Sequence, residues 1–144
     1  MNNEVITIEK LFDAPASKVW AAITIKEEMK VWYFNLAEFK AAVGFNFKFT
    51  GGPDDGTQYV HVCEVTEVIP LQKLTYSWRY HGYPGISFVS FELFEQENKT
   101  SLRLTHTGVA SFAETNADFA INNFKEGWNA IINTALNNYL GIKN

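Results

Sequence analysis

The 144-residue sequence predicts an α+β fold: a curved antiparallel sheet of six to seven strands, two short helices after the first strand, and a long C-terminal helix across the sheet. Three observations carry this reading. Between residues 5 and 109, short runs alternate apolar and polar side chains, the period of strands with one buried face. Clusters of Gly, Pro, Asp and Asn separate the runs. From about residue 112 to residue 140 the period becomes helical.

Residues 5–12 alternate, with Ile6, Ile8 and Phe12 on the buried face. Asp13-Ala14-Pro15 ends this strand, and Pro15 suits the first turn of a helix because its missing N–H has no partner there. Val19, Trp20 and Ile23 follow at helical spacing. Residues 26–34 form a second short helix that places Met29, Trp32 and Tyr33 together. Phe45, Phe47 and Phe49 alternate with Asn46, Lys48 and Thr50, then residues 51–56 (Gly-Gly-Pro-Asp-Asp-Gly) form a turn. Residues 59–69 make a long strand whose apolar phase slips near Cys63-Glu64-Val65, which predicts a bulge. Leu74, Tyr76 and Trp78 point inward, with Thr75, Ser77 and Arg79 opposite. Val89, Phe91 and Leu93 share one face of the next strand, and Leu102, Leu104 and His106 share one face of the last. On the final helix, Ile121, Phe124, Trp128, Ile131, Ile132, Ala135 and Tyr139 fall on one stripe. Gly127 interrupts it at a cost of about 1 kcal/mol relative to alanine, so a strand or a bound molecule is expected to come close there.

One domain spanning residues 1–144 is the natural unit, and a chain of this length buries roughly 70% of its unfolded surface. It needs neither a disulfide nor a metal to hold a core. Twelve Phe, six Tyr and four Trp supply rings for a core or for a pocket wall. The net charge of −4, with no basic run, disfavours nucleic acid as a partner. A single cysteine, Cys63, excludes an internal disulfide and points to a reducing compartment. The polar start of the chain is unlike a signal peptide, and no apolar run approaches the ~20 residues of a membrane span. A cytoplasmic location is expected.

Several stretches in order along the chain resemble a known family. They are residues 8–23 (I-E-K-L-F-D-A-P-A-S-K-V-W-A-A-I), Trp32, Gly44-Phe45-Asn46-Phe47, and Glu64-Val65 ahead of Pro70. Leu74-Thr75-Tyr76-Ser77-Trp78, residues 100–108 (T-S-L-R-L-T-H-T-G), and Gly127-Trp128 leading to Tyr139-Leu140 complete the series. The series is similar to the activator of heat-shock-protein-90 ATPase homologue-like family of the START-like (SRPBCC), birch-pollen-allergen-like superfamily. The resemblance implies a helix-grip fold, with a cavity between sheet and helix. Members of that superfamily bind lipids, sterols, plant hormones or polyketides. The namesake co-chaperone carries an additional N-terminal domain, which is not expected in a chain whose first strand begins at residue 5.

If the helix stripe faces the sheet, Phe124, Trp128, Ile131, Ile132 and Tyr139 oppose Phe47, Trp78, Phe91 and His106, with Trp32 beside them. These ten residues are the candidate ligand-binding set. Two readings compete: a filled core, or a partly empty pocket, since binding sites are concave and mostly apolar with a few polar groups. His106, polar in the inward phase of an apolar strand, is either a ligand contact or a hydrogen-bonded core histidine. Glu64, Arg79 and Arg103 are expected at the surface. His61, His81 and His106 lack metal-ligand spacing, and His61 with Cys63 is a weak nucleophile pair, so no metal, cofactor or catalytic residue is assigned. The leading function is binding of a small hydrophobic molecule. A chaperone-accessory interaction module is the alternative. A polyketide-cyclase-like enzyme using His106, Glu64, Tyr76 or Tyr139 ranks third.

Overall fold

A computed structural model describes residues 5–33, 36, 38–51, 58–109, 112 and 121–143. The elements run β1 (Val5–Phe12), α1 (Ala16–Thr24), α2 (Lys26–Trp32), β2 (Asn46–Gly51), β3 (Tyr59–Ile69), β4 (Lys73–Tyr80), β5 (Ser87–Gln96) and β6 (Lys99–Thr107). A last helix follows as α3 (Ile121–Asn129), a π-helical stretch (Ala130–Leu136) and α4 (Asn137–Lys143). The six strands form one curved antiparallel sheet in the order β1-β6-β5-β4-β3-β2. This is the expected α+β, helix-grip arrangement.

Most strands follow the alternation written in the sequence. Ile6, Ile8 and Phe12 are buried on β1, Phe47 and Phe49 on β2, and Val89, Phe91 and Leu93 on β5. The bulge in β3 falls between Val65 and Glu67, just past the expected place, and it moves the inward phase from odd to even positions. Thr75 and Ser77 depart from expectation: both are buried, not on a wet face. Strand β4 lies in the middle of the sheet, where neighbouring strands keep solvent off. The Thr75 hydroxyl is satisfied by Ser90 (2.9 Å), and Ser77 Oγ accepts the Glu64 N–H (3.1 Å). Glu64, Arg79 and Arg103 are exposed as expected.

The α2 helix ends at Trp32, and Phe34 lies outside the described residues. So do residues 52–57, which hold most of the expected glycine-rich turn, and residues 113–120, the start of the expected long helix. Gly108 follows β6 at φ +84°, and a Cβ there would lie 2.9 Å from the Ile86 carbonyl oxygen. Only glycine fits such a backbone and such a contact.

The long helix corrects the expected stripe. Trp128, Ile132, Leu136 and Leu140 are buried, whereas Phe124, Ile131, Ala135 and Tyr139 are only partly buried. The buried positions repeat every four residues. In an α-helix each four-residue step overshoots a full turn by about 40°. A wider π turn undershoots it. The π-helical stretch therefore cancels the drift and keeps the four side chains in line on the sheet. Gly127 is exposed, and a Cβ there would meet nothing within 4 Å. The expected close approach of a strand at Gly127 is overturned.

Candidate functional site

The interface between the sheet and the last helix gathers rings from both layers. Trp128 is 3% exposed, with ring centroids 5.6 Å from Trp78, 6.1 Å from Phe91 and 6.2 Å from Tyr33. Phe124, one turn earlier, sits edge-on to His106 at 5.3 Å and stacks on Phe112 at 6.2 Å. Phe47 meets Tyr76 edge-on at 5.1 Å. Strand alternation brings Phe47, Tyr76, Trp78, Phe91 and His106 to one face, and the helix covers them.

A chain of hydrogen bonds runs through this apolar layer. The Trp128 indole N–H donates to His106 Nδ1 at 3.0 Å. His106 Nε2 lies 2.8 Å from Ser87 Oγ, and the Ser87 hydroxyl donates to the Trp78 carbonyl at 3.0 Å. An indole only donates and a carbonyl only accepts, so every role between them is decided. Nδ1 is an acceptor, the proton sits on Nε2, and Nε2 donates to Ser87. Burial holds the imidazole neutral by lowering its pKa from 6.5 to about 3.

A second polar pair lies beside it. The Tyr33 and Tyr76 hydroxyls are 2.8 Å apart, and burial raises both phenols well above their ordinary value. Tyr33 stacks between Trp32 (5.0 Å) and Trp128 (6.2 Å), so it couples α2 to the last helix. Deeper along β3, His61 stacks on Phe49 at 4.4 Å and donates from Nδ1 to the Tyr59 carbonyl at 3.0 Å. Its pKa falls to about 4, chiefly through burial. Cys63 is buried, and burial pushes its thiol far up, so it stays protonated and a poor nucleophile.

Of the ten residues expected to line a cavity, Trp78, Phe91, His106, Phe124 and Trp128 meet in one cluster, and Phe47 joins through Tyr76. Ile132 is fully buried and Ile131 only partly. Trp32 gives its indole N–H to the Ala22 carbonyl at 2.8 Å, tying α2 to α1. Tyr139 is turned toward the helices, where its hydroxyl donates to Glu28 at 2.7 Å and its pKa rises to about 12, led by burial. Sequence reasoning did not place Tyr33 or Ser87 in the site. Ser87 was within reach: stepping back two residues from Val89 along the inward phase lands on it. Tyr33 was grouped with Met29 and Trp32 by the expected helix, but the helix ends at Trp32, so its period does not aim the ring at Tyr76 and Trp128.

Among the described residues, no group of three or more His, Cys, Asp or Glu could hold a metal ion. No helix among them is long and apolar enough to cross a membrane.

This fold and this interface can be set against known proteins. A family model described as activator of Hsp90 ATPase homolog 1-like protein matches residues 13–141. The chain belongs to that family. Among solved structures, this family member is similar to protein MLL2253 from Mesorhizobium loti: 27% identity over 98% of this chain and 99% of that one, with a TM-score of 0.77. It is equally identical, at 27%, to protein BH1534 from Bacillus halodurans, over 97% of this chain and 99% of the other, with a TM-score of 0.74. DynU16, a putative protein in the dynemicin biosynthetic locus, shares the fold at 20% identity and a TM-score of 0.78. Here 97% of this chain matches 48% of DynU16, about half its length. No curated protein matches. Within the Hsp90-activator-like frame, the motif Leu74 to Trp78 supplies β4 of the ring cluster, and Gly127-Trp128 places the indole over His106.

Proposed function

We propose that this member of the Hsp90-activator-like family is a cytoplasmic binding protein for a small, flat, mostly apolar molecule held between the sheet and the last helix. One observation carries the reading. The interface carries aromatic rings on both the sheet and the helix side, with a few inward polar groups, Tyr33, Tyr76, His106 and Ser87, beside buried aliphatic side chains such as Leu104, Ile132 and Leu136. Pockets for small molecules have this composition. Rings offer flat faces to a flat ligand, and the Tyr76 hydroxyl offers it a hydrogen bond.

The cyclase-like reading has less support. His106 has both ring nitrogens engaged, Glu64 is exposed, and the Tyr139 hydroxyl is engaged as a hydrogen-bond donor to Glu28. The interaction-module reading rests on a different face. Leu11 is 60% and Phe94 49% exposed, and Ser101 pairs with both, so they flank it on the outer side of the sheet. A stoichiometric partner captured by the wild type and lost in Leu11→Ser/Phe94→Ser would favour that reading.

The test is native mass spectrometry of gently purified protein, with solvent extraction of the bound material. An adduct retained by Arg79→Ala and lost by Trp128→Ala and by Tyr76→Phe supports the pocket. Equal adducts in all variants, or a bare mass in the wild type, count against it.

A further inference from the structure

A second concavity lies away from the ring cluster. It is a groove of about 540 Å³ between β1 and the last helix, walled by Val5, Thr7 and Glu9 on one side and Lys125, Asn129 and Asn133 on the other. Strand β1 ends the sheet, so among the described residues one of its edges pairs with no strand. Such an edge presents backbone N–H and C=O groups ready to pair.

The helix side of the groove matches this edge. Lys125, Asn129 and Asn133 are spaced four apart, are all exposed, and form a row along the helix. Asn133 Nδ2 donates to Asn129 Oδ1 at 2.9 Å, which leaves the Asn129 amide N–H groups and the Asn133 oxygen for another partner. Primary amides carry the same donor and acceptor pair as a peptide group.

Charge sets a direction. Glu9 at one end is already paired with Arg103 at 2.6 Å. Lys125 has no ion-pair partner among the described residues. Phe124 packs on His106, and His106 pairs with Ile6, so the Lys125 end of the row lies at the Val5 end of the strand. The sheet is antiparallel throughout. A strand added to β1 in the same sense would run opposite to it and finish beside Val5.

We propose that this groove binds an extended peptide with a free C-terminal carboxylate, added as a strand antiparallel to β1 with its carboxylate at Lys125. Main-chain hydrogen bonds to β1 provide the affinity and the amide row steadies the outer edge, as in other cases of strand addition. The ammonium of Lys125 selects the chain terminus. The site is separate from the proposed small-molecule pocket and does not depend on it.

The test starts from a pool of acetylated hexapeptides, randomised at every position and ending in a free carboxylate, selected on the immobilised protein. The strongest peptide recovered is titrated by NMR, alongside the same peptide as its C-terminal amide. Expected are shifts of the backbone amides of residues 5–9 and of the Asn129 and Asn133 side-chain amides. Amidation and Lys125→Glu should each weaken binding by about tenfold or more, in line with loss of a charge pair. A thermal melt confirms that Lys125→Glu, a surface change, stays folded. No peptide recovered, shifts confined to other residues, or equal affinity for carboxylate and amide would each overturn the proposal.

Discussion

The indole of Trp128 donates its N–H to Nδ1 of His106 across the interface between helix and sheet, at 3.0 Å. This bond selects the imidazole tautomer and links α3 to β6. Burial keeps that imidazole neutral.

The first prediction concerns acid. Unfolded histidine titrates near 6.5, whereas burial lowers His106 to about 3 and His61 to about 4. Below pH 6.5 the unfolded chain binds protons that the folded chain refuses. Stability from these groups is therefore full above that pH and declines as pH falls toward the folded values. At pH 5 the loss is about 2 kcal/mol per histidine. Urea midpoints between pH 7.5 and 5, where carboxylates remain ionised, should fall, and His106→Leu should have about half the wild-type dependence. A midpoint flat across this range contradicts the assignment.

The second separates the ring of Trp128 from its N–H. Trp128→Phe keeps most of the packing and leaves His106 Nδ1 buried with no donor, at a cost of about 1–3 kcal/mol. Trp128→Ala also opens a cavity and should cost about 3–5 kcal/mol. Urea denaturation measures both, and a Phe variant as stable as the wild type would remove the hydrogen bond from the account.

The third contrasts two glycines. Gly108→Ala brings a Cβ to 2.9 Å from a backbone oxygen at φ +84°, so something must move, and a loss of more than about 1 kcal/mol is expected. Gly127→Ala adds a methyl group to an exposed helical position with open space around it, and should stabilise by about 0.4–1 kcal/mol. Thermal melts of the two variants should move in opposite directions.

The fourth concerns the lone thiol. Cys63 is buried and its pKa is raised by burial, so the native protein should resist an aromatic disulfide reagent and react fully in denaturant. Fast labelling of the folded protein would show an accessible thiolate and reopen the nucleophile reading.

Element types and burial faces were readable where one period ran cleanly. Strand β1 has the expected bounds, and its buried residues are the expected three. The ring cluster was readable in the same way, since Trp78, Phe91 and His106 each sit at an inward position of an alternating run. Thr75 and Ser77 were misjudged because polarity suggests solvent, while a central strand can bury hydroxyls that find partners in its neighbours. The strand expected beside Gly127 is absent because a helical glycine signals low propensity and says nothing about what stands opposite.

Alternation and helical periodicity, which follow from local backbone geometry, determined the six strands, the last helix and the layer in which the rings would meet. The partners of those rings depended on register. Which residue faces His106, that Glu9 meets Arg103, and that Lys125 stands at the Val5 end of β1 are relations between segments far apart in the chain. No local pattern encodes them. The four-residue spacing of Trp128, Ile132, Leu136 and Leu140 was present in the sequence, but only packing against the sheet selected it over the neighbouring stripe, by widening one stretch of the helix into π turns.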